Sequence, residues 1–230
     1  MAETIRAVLF DVGNTLLHIN HTVMAQVLTA QGHPVRPESV YRAECQARLV
    51  LDDLTIDRPS TESPFQGYFR AVCTYLGIPW SPATQVALDE LRAYDRRRQL
   101  WTQVVPWSHE ILQTLRQAGY ILGVISNSDG SVATLLANQG LDTFFRFILD
   151  SFLVGVAKPS PDIFHLALEH TGTAPHETVY IGDLYRVDVL GAQGIGMHGI
   201  LVDPQRAWRA VSCHKIQHFQ DLPALLKTLE

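Results

Sequence analysis

The chain has 230 residues, of which 47% are hydrophobic and 18% are charged. These values fit one or two compact globular domains with a full hydrophobic core, and they exclude a disordered chain. The formal net charge is −5, which opposes binding to a phosphate backbone, so we expect no nucleic-acid partner.

The apolar runs of the sequence are short. None approaches the about 20 residues that a helix needs to cross a bilayer, and the first residues lack the basic region and long apolar core of a secretion signal. Three widely spaced cysteines, Cys45, Cys73 and Cys213, match no metal-binding pattern and are interpreted as reduced thiols. The sequence therefore predicts a cytoplasmic protein with no membrane partner.

Five short apolar runs predict strands that are buried on both faces of a parallel sheet. They cover residues 6–10, 121–126, 145–150, 179–181 and 199–202. Helical patterns lie between the last four runs, and another lies just before them. The pattern before the second run ends at Gly119, and the pattern before the fourth run ends at Gly172. Strands that alternate with helices predict a doubly wound α/β domain.

The long segment after the first predicted strand has a different pattern. From Thr15 to about Gln103 it shows no convincing strand, only helical stretches broken at proline and glycine. We interpret it as a helical insertion that folds as its own smaller domain. The predicted organisation is an α/β core of residues 1–17 and 102–230 with an all-helical domain of residues 18–101.

Polar residues collect where the predicted strands end. Open parallel sheets bind ligands outside the carboxyl ends of their strands, so these residues are the candidates for a site. They are Asp11, Ser126, Asn127, Lys158, Asp183 and Asp188.

The three aspartates in this set indicate a metal ion. Converging carboxylates are costly unless a cation neutralises them. Ligands that offer only oxygen favour Mg²⁺, whose octahedron is usually completed by water and a substrate phosphate. Asp11, Asp183 and Asp188 therefore predict a Mg²⁺ site.

The remaining members of the set suit a phosphate group. Ser126 and Asn127 can donate hydrogen bonds to phosphate oxygens, and Lys158 adds a positive charge. An aspartate such as Asp11 can attack phosphorus and form an aspartyl phosphate. Together these residues predict a site for phosphoryl transfer.

Four motifs in this order resemble the haloacid dehalogenase superfamily, in the subfamily with a helical cap inserted after the first motif. The motifs are "FDVGNTL", "VISNSD", "GVAKPSPDIF" and "YIGDLYRVDVLGA". The resemblance covers nearly the whole chain and implies a Rossmann-like core with a helical cap.

The resemblance also implies roles for individual residues. Asp11 would be the nucleophile and a metal ligand, with Lys158 steadying it. Asp183 would ligate the metal, and Asp188 would support it through water or an outer contact. The resemblance further implies a phosphate-binding hydroxyl on Ser126, a first motif closed by Thr15 at the phosphate site, and a metal-binding backbone carbonyl at residue 13.

The sequence departs from the family at Gly13. Phosphatases of the family carry a second aspartate there, which protonates the leaving group and then activates water. Such acid-base help contributes about 10²–10⁴-fold to the rate. Glycine cannot provide it, although its carbonyl remains available to a metal. His18 and His21 follow the motif and are either substitute proton sources or packing residues.

Three functions follow from this departure. The favoured one is a Mg²⁺-dependent phosphatase acting on a small phosphorylated metabolite, as a monomer or homodimer. The second is a 2-haloacid dehalogenase, whose first motif also lacks the second aspartate but which has no evident use for Asp183. The third is a non-catalytic protein that binds a phosphate ligand or a partner protein.

Overall fold

The computed structural model describes residues 4–57 and 63–229. The elements of the first part of the chain are β1 (Ala7–Phe10), β2 (Leu17–Ile19), α1 (His21–Ala30), α2 (Pro37–Asp57), α3 (Pro64–Tyr75), α4 (Pro82–Arg98) and β3 (Trp101–Val104). Those of the second part are α5 (Ser108–Gln117), β4 (Ile121–Ser126), α6 (Val132–Asn138), β5 (Phe147–Asp150), α7 (Ser151–Val154), α8 (Pro161–Thr171), β6 (Thr178–Gly182), α9 (Leu190–Gln193), β7 (His198–Val202), β8 (His214–Ile216) and α10 (Leu222–Leu226).

Six parallel strands form one sheet in the order β5, β4, β1, β6, β7, β8. The chain moves outward from β1 through β4 and β5, and then returns to place β6 on the other side of β1. The strand order therefore reverses between β1 and β6. In open α/β sheets, the crevice beyond the carboxyl ends of the strands at such a reversal is where ligands bind.

Burial on both faces explains why the strand sequences lack polar alternation. All four residues of β1 and all five of β6 are buried. Phe10, at the end of β1, packs against the rings of Phe145 and Phe219. The predicted doubly wound α/β fold is confirmed.

The chain divides into two compact units, one of residues 1–17 and 104–230 and one of residues 18–103. The second unit contains α1 to α4, which pack around buried residues that include Leu28, Phe69 and Leu88. Two of these helices, α3 and α4, begin at polar caps. The Ser63 hydroxyl accepts from the backbone N–H of Gln66 at the start of α3, and Ser81 and Thr84 cap α4 reciprocally.

The structure corrects the prediction that no strand lies between Thr15 and about Gln103. β2 and β3 form a two-stranded sheet where the chain passes from one unit to the other. β8, beside β7 at the edge of the large sheet, was also not predicted. These strands have three or four residues each, and such short segments show no periodicity.

Two helix ends agree with the sequence. α5 ends just before Gly119, which has a φ of 91°, and α8 ends at Gly172, which has a φ of 68°. Glycine adopts this left-handed conformation without steric cost. Among the described residues, no helix combines the length and apolar composition needed to cross a bilayer.

Candidate active site

Three aspartates converge at the reversal between β1 and β6. Asp11 follows β1, and its backbone N–H donates to the Ile181 carbonyl at 2.8 Å. Asp183 follows β6, and Asp188 lies in a π-helical turn, Tyr185–Val189. One carboxylate oxygen of each lies within 4.8 Å of the others, and all three residues are buried. Single π-helical turns are rare in proteins overall, but many of those that occur lie at functional sites.

Lys158 connects two of these carboxylates. Its Nζ donates to Asp11 Oδ1 at 2.7 Å, to Asp188 Oδ1 at 2.7 Å and to the Tyr180 hydroxyl at 2.8 Å. The Tyr180 hydroxyl in turn donates to the Ile125 carbonyl at 2.8 Å, so its lone pairs face the lysine. All three ammonium hydrogens are thus used. The position of Lys158 Nζ is therefore fixed by three acceptors.

Burial and charge shift the pKa values of this network in different directions. Burial lowers the pKa of the Lys158 ammonium, but Asp11 and Asp188 outweigh burial and raise that pKa well above its ordinary value. Burial raises the pKa of Asp11 to about 6, with Asp188 adding to the rise and Lys158 opposing it. Burial also raises the pKa of Tyr180, so the phenol stays neutral. Burial is therefore the main cause of the raised pKa of Asp11, and the charge of Asp188 contributes less.

Gly182 makes room for the Asp188 carboxylate. A Cβ atom at residue 182 would lie 2.4 Å from Asp188 Cγ, well inside van der Waals contact. The second oxygen of Asp188 accepts from the Leu184 backbone N–H at 3.0 Å. The last position of β6 therefore requires glycine because of a close approach by a site residue.

Ser126 ends β4 and Asn127 directly follows it, as the sequence predicts, but the surroundings of the two residues differ. Ser126 is buried and lies opposite Asp150 in the sheet register. The Asn127 amide donates to the Lys158 carbonyl at 2.9 Å, and its oxygen accepts from the Lys158 backbone N–H at 2.8 Å. Asn127 thus holds the backbone of the lysine loop, and its contact with a phosphate stays a prediction.

Asp150 organises the loop that follows Ser126. Its carboxylate accepts from the backbone N–H groups of Gly130 at 3.0 Å, Val132 at 3.3 Å and Phe152 at 3.1 Å. This aspartate was not singled out in the sequence, although it ends a predicted strand. Tyr180 was missed as well, because a tyrosine inside an apolar strand has no distinctive pattern.

A tight turn follows Asp11. The Val12 carbonyl accepts from the N–H groups of Leu16 and Leu17, each at 2.9 Å. Asn14 has a φ of 58°, whereas Gly13 is not among the glycines with a positive φ. Thr15 is fully buried, and its hydroxyl has no hydrogen-bond partner among the residues described.

The two histidines after the first motif lie in the helical unit. His21 Nε2 is 2.7 Å from Glu44 Oε2, and His18 Nδ1 is 3.8 Å from the same oxygen. Glu44 follows 23 residues after His21 in the sequence. Both imidazoles therefore belong to a buried polar cluster within their own unit.

Comparisons with known proteins identify the family of this chain. A family model for haloacid dehalogenase-like hydrolases matches residues 5–196. A relative from Xenopus laevis, haloacid dehalogenase-like hydrolase domain-containing protein 3, is 35% identical over 132 residues, which are 55% of this chain and 54% of the relative. In that alignment, as in the one with the mouse protein, the chain thus spans about half the relative's length.

Two further comparisons are informative. Glyceraldehyde 3-phosphate phosphatase from Pyrococcus abyssi is 28% identical over 204 residues, covering 84% of this chain and 79% of that protein. The magnesium-bound structure of the HAD-hydrolase YfnB from Bacillus subtilis superposes with a TM-score of 0.72 at 18% identity, covering 97% of this chain and 99% of the other, which shows a shared fold. With the family model matching most of its length, the chain belongs to the haloacid dehalogenase-like hydrolases.

Proposed function

We propose that this hydrolase is a Mg²⁺-dependent phosphatase that acts on a small phosphorylated metabolite through an aspartyl phosphate on Asp11. The observation that carries this proposal is the buried group of three carboxylates with Lys158 bonded to Asp11 and Asp188. A phosphatase relative, the Pyrococcus abyssi protein, supports the same class of reaction.

The residues present fit a magnesium ion. Asp11, Asp183 and Asp188 offer only oxygen, and their three negative charges exceed the single positive charge of Lys158. Mg²⁺ prefers such oxygen ligands. Asp11, Asp183 and the Gly13 carbonyl would hold the ion, with Asp188 supporting it. A bound ion would neutralise the carboxylates and the incoming phosphate, so that the two can approach.

The protein's own groups then account for the first step. The Asp11 oxygen attacks phosphorus, and the bond from phosphorus to the leaving oxygen breaks with its electron pair on that oxygen. Lys158 holds the orientation of Asp11 and offsets charge on the transferring group, while Ser126 donates a hydrogen bond to a phosphate oxygen. In the second step water attacks the phosphorus of the aspartyl phosphate, which frees Asp11 and inorganic phosphate.

Gly13 narrows the substrates that this chemistry can use. No carboxylic acid stands two residues after Asp11, so the leaving oxygen takes its proton from water or from the substrate itself. Leaving groups of low basicity, as in acyl or aryl phosphates, need that proton least. We therefore expect such phosphates to be the better substrates.

The test is phosphate release from p-nitrophenyl phosphate with Mg²⁺ present or chelated. We expect turnover only with Mg²⁺, and a loss of at least about 10³-fold in Asp11→Asn, which removes the nucleophile. Asp89→Asn is the matched control, since Asp89 is exposed and lies in the helical unit. Turnover that survives in Asp11→Asn would contradict the proposal.

One observation favours a second function. Gly13 also fits a 2-haloacid dehalogenase, because a halide leaves without a proton. Asp183 counts against it, since halide displacement by Asp11 gives no role to a buried metal-ligating acid. A panel of 2-haloacids separates the two reactions. Absence of turnover on both panels would instead support a protein that binds a phosphate ligand without reaction.

A further inference from the structure

The helical unit contains a second group of metal-ligating side chains. His18 lies on β2, His21 is the first residue of α1, and Glu44 lies on α2. One ligating atom of each lies within 4.8 Å of the other two. Unlike the aspartates after the sheet strands, this group offers two ring nitrogens and one carboxylate.

The distances suit an ion coordinated at short range. His21 Nε2 and His18 Nδ1 are 2.7 Å and 3.8 Å from Glu44 Oε2. In a tetrahedral zinc site with bonds of about 2.0–2.1 Å, neighbouring donors are about 3.3–3.5 Å apart. The two observed distances lie on either side of this value. Shifts of a few tenths of an ångström would therefore admit an ion in place of the proton shared by His21 and Glu44.

The surroundings hold these side chains in place. The side chains of His18, His21 and Glu44 are 12%, 9% and 0% exposed. The Tyr68 hydroxyl donates to Glu44 Oε1, whereas both histidine distances are to the other oxygen, Oε2. The Tyr41 ring meets both imidazoles edge-on, with centroids 5.5 Å and 5.4 Å away. Such outer partners fix ligand orientation in metal sites.

Arg48 lies one turn after Glu44 on α2 and is buried. Its positive charge offsets the negative charge of Glu44, so the affinity for an ion has to come from the three ligating atoms and not from the net charge of the region.

We propose that His18, His21 and Glu44 form a binding site for a zinc-class divalent ion, with a fourth position left for water. Two imidazoles and one carboxylate select zinc or cobalt over magnesium, which prefers oxygen ligands. The bound ion joins β2 and the start of α1 to the middle of α2. This site is independent of the reaction assigned to Asp11.

The test is a calorimetric titration of the full chain with Zn²⁺ alone, after treatment of the protein with a chelator. It is done in an Asp183→Asn background, which weakens the candidate magnesium site. We expect one ion per chain, and affinity lower by at least about 100-fold in His18→Gln, His21→Gln and Glu44→Gln, which each remove a ligand. Tyr68→Phe removes an outer partner and is expected to cost about 10-fold. His33→Gln, in the same unit but outside the group, is the matched control.

A second measurement keeps the proposal testable if one variant fails to fold. Co²⁺ added to the unsubstituted cluster is expected to give the intense visible absorption of a low-coordinate site, and Zn²⁺ is expected to remove it. The proposal is overturned if no ion binds at one per chain. It is equally overturned if folded His18→Gln or His21→Gln binds as tightly as His33→Gln, or if Co²⁺ gives only the weak spectrum of an octahedral ion.

Discussion

The two units of this hydrolase each bury a group of three ligating side chains, but the donors differ. The α/β unit has three carboxylates bridged in part by Lys158, and the helical unit has two imidazoles and one carboxylate. Oxygen-only donors suit a hard ion, whereas nitrogen donors suit a borderline one. The two proposed sites would therefore select different ions by donor chemistry.

The two groups also differ in how the chain brings them together. Asp11 and Asp183 meet because adjacent parallel strands end at the same edge of a sheet. His21 meets Glu44 because α1 and α2 pack against each other, and His18 joins them from β2. The ends of the apolar strands predict from the sequence that the aspartates lie close together. No sequence pattern predicts which residues the packing of α1 on α2 brings together. Three experiments on the α/β unit test this difference.

Gly13→Asp has the largest expected effect. The new carboxyl supplies the missing proton, so kcat for alkyl and sugar phosphates should rise by about 10²–10⁴-fold, with little change for aryl phosphates. Gly13 does not have a positive φ, so aspartate meets no left-handed strain there. The measurement is kcat across a series of leaving groups.

Gly13→Asn is the control, because it has the same shape without the acid and should give no rise. If the unsubstituted protein already shows a flat dependence on the leaving group, another residue supplies the proton and the expectation fails. Zinc affinity in the helical unit should not change in either variant.

Tyr180→Phe should have an intermediate effect. It removes one of the three acceptors of Lys158 and the donor to the Ile125 carbonyl. We expect the free energy of unfolding to fall by about 1–3 kcal/mol, the cost of leaving buried groups unpaired. We also expect kcat to fall by about tenfold with KM nearly unchanged, because the lysine then fits the transferring group less well.

The matched control is Tyr75→Phe, since Tyr75 is 42% exposed. Denaturant unfolding and steady-state kinetics check both effects. Equal kcat in Tyr180→Phe and the unsubstituted protein would show that the phenol does not position Lys158.

The smallest expected effect is on thermal stability. The pKa of Asp11 is about 6 in the folded metal-free protein and 3.8 for an unperturbed aspartate. The folded state therefore binds this proton more tightly, and the associated stability is present below pH 4 and lost as pH rises through 6. The loss is about 1–3 kcal/mol, or several degrees in Tm.

Mg²⁺ should restore this stability, and more so at pH 7.5 than at pH 5.5, because it needs ionised carboxylates. Thermal scans with Mg²⁺ or chelator measure the difference. In Asp11→Asn the fall in stability between pH 4 and 6 should be smaller. A Mg²⁺ effect that is equal at both pH values would contradict this account.

Much of the fold could be predicted because its signals are local. Fully buried strands give continuous apolar runs, and β4 has the bounds that its sequence predicts. Short strands such as β2 and β8 give no such signal, since three residues cannot show a period. The third strand was predicted from residue 145 but begins two residues later, at Phe147.

Site residues could be predicted where a polar residue directly follows a strand. They could not be predicted where a residue supports such a polar residue from elsewhere in the fold. Asp11 and Asp183 stand directly after apolar runs, whereas Tyr180 lies inside one. The predicted role of Asn127 shows the same limit. Its sequence position indicates a phosphate donor, but both ends of its side chain bond the Lys158 backbone, a contact between residues 31 positions apart.

The close approach at Gly182 has a consequence for sequence variation. Because the Asp188 carboxylate occupies the space of a side chain at residue 182, even alanine there would push out a group that Lys158 holds. A library of single substitutions sorted for activity would therefore reject nearly every change at this position. The same library sorted only for expression would tolerate some of them, which distinguishes a glycine kept for the reaction from one kept for folding.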